Sequence, residues 1–339
     1  MVNEIDERLH TPGTVMPARW QENMMALGWD LEQNIGFWWH AQRVPHTRFT
    51  EIKAGVFEVA SGVSGREVVP MPESVMFEGL VIEEPFKKVR LSYHGRGVRH
   101  TDDKHLPCLS ATGDVPYGMD LTLHGLAGPI DWHEPLSSMG AVENDHYEMA
   151  GSWEGTLAFP DRTVRASGLY LRDHTWGLRN YTPERRTDES EHGHGGFDLA
   201  WFTPLVLDEG RTFVNGLVVK AGRDDPAGRA QTFCTLTEGE TTSLYDRFDV
   251  EVTRGTEEVA RYDAARITGG DANTDIDCRL EVIRHLPMYL PDHGGPFVQS
   301  DAYGTVTWGS RTGWGSAQLS ETDGKWQQRP EFADQIAAL

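Results

Sequence analysis

The chain has 339 residues, enough for about two domains that each bury a core. Its 52 acidic residues outnumber 31 Lys and Arg, and the formal charge of −21 is shared about evenly by the two halves, which repels nucleic-acid phosphates and anionic lipid heads. No apolar run approaches the ~20 residues of a membrane span, and Met1–His10 carries acids where a secretion signal would be basic and then apolar, so a cytoplasmic protein with neither nucleic acid nor membrane as partner is expected.

Cys108, Cys234 and Cys278 are widely spaced and contain no Cys-x-x-Cys pair, which predicts buried thiols rather than a disulfide framework or a thiolate zinc site. Eleven Trp, thirteen Phe and nine Tyr stand beside 36 Gly and only 24% charged residues, an aromatic and turn-rich composition that favours β structure.

In chain order, helical periodicity predicts helices at Arg19–Leu27 and Pro330–Leu339, with Pro330 suited to a first turn. Between them the sequence reads as strand and turn. The expected strand runs are Val56–Ala60, Lys88–Tyr93, Leu121–Leu126, Thr163–Leu171, Phe197–Thr203, Thr212–Lys220, Gln231–Leu236, Phe248–Thr253, Asp277–Arg284 and Gly304–Trp308. Most are bounded by Gly, Pro, Asp or Asn, and so many short strands predict sandwiches or barrels. Gly-Pro, Glu-Pro and Ser-Ser-Met-Gly interrupt the stretch from Leu126 to Asp145 and place a domain boundary near Gly140, giving domains 1–140 and 141–339. Gly36-Phe37-Trp38 and Gly151-Ser152-Trp153 repeat one pattern across that boundary, as duplication or chance would produce. Asp188–Gly196 reads as a polar loop.

No G-x-S-x-G elbow, H-E-x-x-H pair, phosphate-binding P-loop or G-x-G-x-x-G turn is present, which removes the main support for hydrolase, zincin, NTPase and Rossmann readings. The densest polar-aromatic cluster is Leu171-Arg172-Asp173-His174-Thr175-Trp176-Gly177-Leu178-Arg179, directly after a strand run. Strand alternation groups Leu169, Leu171 and Asp173 on one face and Tyr170, Arg172 and His174 on the other. Asp173 then ends an apolar face, where burial raises a carboxyl pKa and suits it to act as a general acid. The alternative is a structural acceptor tied to Arg172, Arg179 or backbone N–H groups, with Gly177 supplying a turn. His146, Tyr147 and Glu148 form a second cluster, and alternation sets His146 and Glu148 opposite Tyr147. Trp38 and Trp39, beside His40 and Arg43, and Trp201 are candidates to line an apolar ligand cavity or to face a carbocation, and equally candidates for plain core.

The run Arg172-Asp173-His174-Thr175-Trp176-Gly177-x-Arg179, preceded by His146-Tyr147-Glu148 and followed by Trp201, resembles the superfamily of carotenoid hydratases, kievitone hydratases and lipocalin-like Diels–Alderases, over roughly residues 30–320. The resemblance implies an all-β chain of two tandem lipocalin-like β-barrel domains with a few short helices, an apolar ligand cavity near or between them and no obligatory cofactor. It also implies that Asp173 protonates an isolated alkene. Thr175 departs from the Ser or Asn common among relatives.

Together these readings predict a cofactor-independent hydratase, dehydratase or double-bond isomerase acting on an apolar unsaturated terpenoid-, steroid- or polyketide-like molecule. Asp173 would give the proton, and His146, Tyr147 or Glu148 would position or deprotonate water. Trp38, His40, Arg172, Trp176 and Trp201 would contact the substrate, with the ring face of Trp38, Trp176 or Trp201 stabilising a cation. A pericyclic cyclase or a non-catalytic binder of hydrophobic ligands needs the cavity but not the acid. A metal enzyme would use His192, His194 and His174.

Overall fold

The computed structural model describes residues 2–10, 20–45, 48–70, 79–100, 112–133, 143–178, 197–221, 231–255, 261–290 and 297–322. The described chain forms two nine-stranded antiparallel sheets. The first comprises β1 (Trp20–Asp30), β2 (Ile35–Val44), β3 (Phe49–Glu58), β4 (Gly62–Pro70), β5 (Leu80–Glu84), β6 (Lys88–His100), β7 (Val115–Asp131), β8 (Glu143–Phe159) and β9 (Arg162–Leu178). The second comprises β10 (Phe197–Leu207), β11 (Thr212–Ala221), β12 (Gln231–Glu238), β13 (Thr241–Tyr245), β14 (Arg247–Thr253), β15 (Ala264–Gly270), β16 (Asp275–Leu290), β17 (Phe297–Trp308) and β18 (Arg311–Thr322). Each expected strand run falls on one of these strands, except that Val59 and Ala60 lie past the end of β3, so the tandem all-β architecture read from the sequence holds.

Spatial order is β4-β3-β2-β1-β9-β8-β7-β6-β5 in the first sheet and β13-β12-β11-β10-β18-β17-β16-β15-β14 in the second, the same pattern nine strands later. The duplication is therefore one of strand order. It is not carried by the Gly-x-Trp echo, because Gly36-Phe37-Trp38 lies on β2 and Gly151-Ser152-Trp153 on β8 of the same sheet. A short β4–β6 ladder, Gly62 opposite His100 to Ser64 opposite Val98, closes the first sheet into a barrel.

Two expectations need correction. The described part of the expected helix Arg19–Leu27, from Trp20 on, is strand: β1 pairs with β2 along one edge and β9 along the other. Its Gln, Glu, Met, Ala and Leu have good helix propensity, but burial on both faces of a closed sheet overrides that weak local preference. The break near Gly140 lies inside the first sheet, since β8 and β9 follow it and hydrogen-bond to β7 and β1. The chain passes between sheets after Leu178 and before Phe197. Helical content among the described residues includes two 3-10 turns, Glu4–Glu7 and Asp208–Gly210. Pro330–Leu339, Asp188–Gly196 and Cys108 lie outside the described residues, while Cys234 and Cys278 are buried free thiols.

The barrel interiors and the layer between the sheets form three apolar clusters. Met24, Phe37, Trp39 and Trp153 belong to the first interior, and Val214, Ile267, Cys278 and Leu319 to the second. Leu27, Trp29, Trp38, Ile130, Trp132, Ala150 and Leu171 pack in the third against Val206, Phe213, Phe233, Leu286, Tyr303 and Trp314 of the second sheet. This docking is fixed at two points. Arg284 on β16 is fully buried, donates to the carbonyls of Glu58, Val59 and Ser61, and lies over the Phe57 ring. Gly210, with φ +94°, packs on Gly151 of β8 so closely that a Cβ would stand 2.9 Å from its carbonyl carbon.

Candidate functional site between the barrels

Antiparallel register determines which side chains share a face, because directly paired residues project to the same side of a sheet. On β2-β1-β9-β8 one row is His40–Met25–Asp173–Glu148, and the next toward the apolar layer is Trp38–Leu27–Leu171–Ala150. On the other side lies Gln42–Asn23–Thr175–His146. Leu27, Trp38, Leu171 and Ala150 belong to the layer between the sheets, so Asp173, Glu148, His146 and His40 face that layer too. Alternation sends Tyr147, Arg172, His174 and Trp176 into the first barrel. The expected split of Leu169, Leu171 and Asp173 from Tyr170, Arg172 and His174 matches this arrangement.

The cluster facing the layer is compact. His146 Nε2 lies 3.2 Å from Glu148 Oε1 and 3.6 Å from Asp173 Oδ2. Glu148 is fully buried, whereas the side chains of His146 and Asp173 each retain 16% exposure. Burial, and then the charge of Asp173, push the Glu148 carboxyl well above the usual carboxylate range, with the Trp132 indole N–H working the other way. Glu148 is thereby favoured in its neutral, protonated form beside the second carboxyl group. Trp132 stacks on His146 with centroids 5.8 Å apart and meets Phe202 at 5.4 Å and Phe233 at 4.6 Å across the layer. Acid, base and apolar wall thus converge where the sheets meet.

The opposite face is a buried ion-pair network completed by the N-terminal segment. Glu7, at the end of the 3-10 turn, accepts from Tyr147 Oη at 2.8 Å and from both terminal nitrogens of Arg172, one at 3.2 Å. Glu22 on β1 accepts from His174 Nε2 and His10 Nδ1, each at 3.0 Å, and pairs with Arg43. Burial works against the Glu22 charge, but hydrogen bonds from His10 and His174 together with the charges of His174 and Arg43 hold its pKa down to about 2. Burial likewise keeps His174 below the usual imidazole range. His10 stacks on Trp176 with centroids 4.0 Å apart.

Of the predicted site residues, Asp173, His146, Glu148, Trp38 and His40 therefore share the inter-barrel face. Tyr147, Arg172 and Trp176 are occupied inside the first barrel. Trp201 lies on β10, but its side chain is outside the described residues, as are His192 and His194. Gly177 supplies no turn: it sits within β9 at φ +130°, a backbone region that favours glycine. Sequence reasoning missed Trp132, in a stretch without strand periodicity, and Glu7 and Glu22, whose partners lie far along the chain.

Among the described residues, two groups bring three metal-ligating atoms within 4.8 Å of one another, His10–Glu22–His174 and His146–Glu148–Asp173. In the first, Arg43 already compensates Glu22, so a divalent cation would meet a like charge. The second, with two carboxyl groups and an imidazole, is the set that would hold one. An open hollow of about 600 Å³ lies elsewhere on the first barrel, with Arg66, His94, Arg96, Tyr117 and Phe159 in its lining and no residue of either cluster.

The fold and this face define a tandem-barrel protein with a buried carboxyl pair between its sheets. The chain belongs to the DUF7064 family, a domain of unknown function whose sequence profile matches residues 3–323. No curated protein matches the sequence. Among solved structures, a Nitrosomonas europaea protein described as AttH matches with a TM-score of 0.57 at 12% identity, covering 91% of this chain and 98% of that one. CghA with Sch210972 matches with a TM-score of 0.53 at 12% identity, covering 90% and 89%. Kievitone hydratase from Nectria haematococca matches with a TM-score of 0.49 at 11% identity, covering 91% and 90%. The fold is shared with the AttH-described protein and with CghA.

Proposed function

We propose that this chain is a cofactor-independent hydro-lyase or double-bond isomerase acting on an apolar unsaturated molecule of terpenoid, steroid or polyketide type, bound between the two barrels. The observation that carries this reading is the carboxyl pair: fully buried Glu148 beside partly exposed Asp173, with His146 bridging them. Glu148, held toward its protonated form, passes its proton to Asp173, the more exposed carboxyl group, which delivers it to the alkene carbon, and the π electrons form the new C–H bond. The tertiary cation left behind lies against the aromatic wall of Trp132, Phe202 and Phe233, away from bulk water. His146 takes a proton from the attacking water, and Glu148 keeps a proton available to Asp173. The reverse sequence dehydrates a tertiary alcohol, and loss of a different proton moves the double bond.

The test is mass spectrometry of the protein incubated in heavy-oxygen water with unsaturated isoprenoids, steroids and polyketides. Heavy oxygen in a product supports hydration, and Asp173→Asn should then abolish it in a folded protein. Full turnover by Asp173→Asn overturns the acid role. Cyclised or isomerised product without label moves the reading to a cyclase or isomerase, and bound but unchanged ligand to a binding protein. Turnover lost on chelation and restored by a divalent cation would assign His146, Glu148 and Asp173 to metal binding.

A further inference from the structure

The second sheet brings a buried carboxyl group of its own to the layer between the barrels. Asp301 on β17 and Gln318 on β18 are register partners. They alternate onto the same face as Tyr303 and Trp314, which pack against the first barrel. Asp301 is 1% exposed. Its Oδ1 accepts from Gln318 Nε2 at 2.6 Å, while Oδ2, also sealed from solvent, makes no well-formed hydrogen bond among the described residues. The Trp38 indole N–H, itself buried without a well-formed bond, lies near enough to ease the Asp301 charge as a loose donor.

Burial pushes the Asp301 acid up to about 6, with Gln318 and Trp38 opposing the shift. Leu286 is its neighbour on β16, and Leu27 lies beside Trp38 on β1. A carboxyl group serving only to hold strands together would engage both oxygens, since an unsatisfied buried oxygen costs about 1–3 kcal/mol. Asp301 instead leaves Oδ2 without a well-formed bond among the described residues, with the Trp38 indole as a loose donor beside it. Trp38 is on β2, two strands from Asp173 on β9, so Asp301 lies on the order of 10 Å from Asp173.

We infer that Asp301, held in place by Gln318, is a second polar subsite that binds a hydroxyl group on an otherwise apolar ligand whose reacting end lies at Asp173. The inference rests on the proposed inter-barrel site and narrows its substrate class to unsaturated molecules with an oxygen function about 10 Å from the alkene. Oδ2 accepts from the ligand hydroxyl when ionised and donates to it when protonated. The aromatic and aliphatic neighbours contact the carbon skeleton.

The test compares the fifteen-carbon alcohol farnesol with its hydrocarbon analogue farnesene, using quenching of tryptophan fluorescence in the full chain and in folded Asp301→Leu and Asp301→Asn. Wild type should bind the alcohol about tenfold tighter, Asp301→Leu should lose that preference, and Asp301→Asn should keep part of it, because an amide still bonds a hydroxyl. Equal binding of the two probes by wild type overturns the inference without any variant. So does an undiminished preference in Asp301→Leu, or no binding of either probe by wild type. Failure of the proposed acid chemistry leaves a different trace. Turnover surviving in Asp173→Asn would remove that role while the alcohol preference, and its loss in Asp301→Leu, still held.

Discussion

The two faces of the β8–β9 hairpin carry the same residue types and do opposite things with them. On the face inside the first barrel, Glu7 and Glu22 are each matched by guanidinium or imidazole donors, and Glu22 is held strongly ionised. On the face toward the second barrel, Glu148 meets Asp173 and a histidine, and is held toward its neutral form. One residue step along a strand separates a satisfied ion-pair network from a buried carboxyl group held toward its neutral form beside a second one. Opposite-charge partners make buried acids into structure, whereas like-charge neighbours and burial leave them able to exchange protons.

The sharpest way to break this contrast is to remove the acid on the outer face. Asp173→Asn should reduce turnover by about 10²–10⁴-fold while leaving the melting temperature close to wild type, measured on whichever substrate the heavy-oxygen screen identifies. Removing an acid on the inner face should do the reverse. Glu7→Ala leaves Arg172 fully buried with its partner gone, and stability should fall by about 3–5 kcal/mol in urea titrations. An unchanged urea midpoint would mean that the N-terminal turn does not hold the barrel as described.

Half of this contrast was legible in the sequence. Period-two alternation through Thr163–Leu171 put Asp173 with Leu169 and Leu171, and separated His146 and Glu148 from Tyr147, because a strand leaves no other arrangement. Alternation does not say which face is the inside of a barrel. That depends on Glu7 and His10, which reach Arg172 and Glu22 from the N-terminal segment. The wall was hidden for a related reason: Trp132 follows a Gly-Pro interruption, yet forms part of the apolar layer between the sheets. The expected boundary failed because turn residues mark where a chain bends, while ring closure by β8 and β9 decides where a barrel ends.

The faces should also respond to pH with opposite sign. Glu22 has a depressed pKa in the folded chain, so its contribution is present above its usual value near 4.5 and is lost as pH falls toward about 2. Glu22→Gln should therefore cost on the order of 3 kcal/mol at neutral pH and progressively less in acid. Glu148 has a raised pKa, so the folded chain takes up a proton and loses stability as pH rises above 4.5. Glu148→Gln removes that slope, and the variant should gain on wild type between pH 5 and pH 8. Urea midpoints across pH distinguish the two, and parallel curves would sink the contrast.

The smallest expected effect probes how fully the inner network is satisfied. Tyr147 donates one hydrogen bond to Glu7 Oε1, an atom that Arg172 also engages. Burial pushes its phenol well above the usual range, so the group stays neutral at any pH where the protein is folded. Tyr147→Phe removes a neutral donor from an acceptor that keeps a charged one, and the ring still packs edge-on to His174 and Phe86. The loss should be about 1 kcal/mol, the net value of a single neutral hydrogen bond, and should not vary between pH 5 and 8. A loss of several kcal/mol would mean that Arg172 alone cannot hold Glu7. The phenol would then belong with the charged pair as an obligatory part of the network, because an acceptor left unsatisfied in the barrel is far more destabilising than the absence of one bond among several.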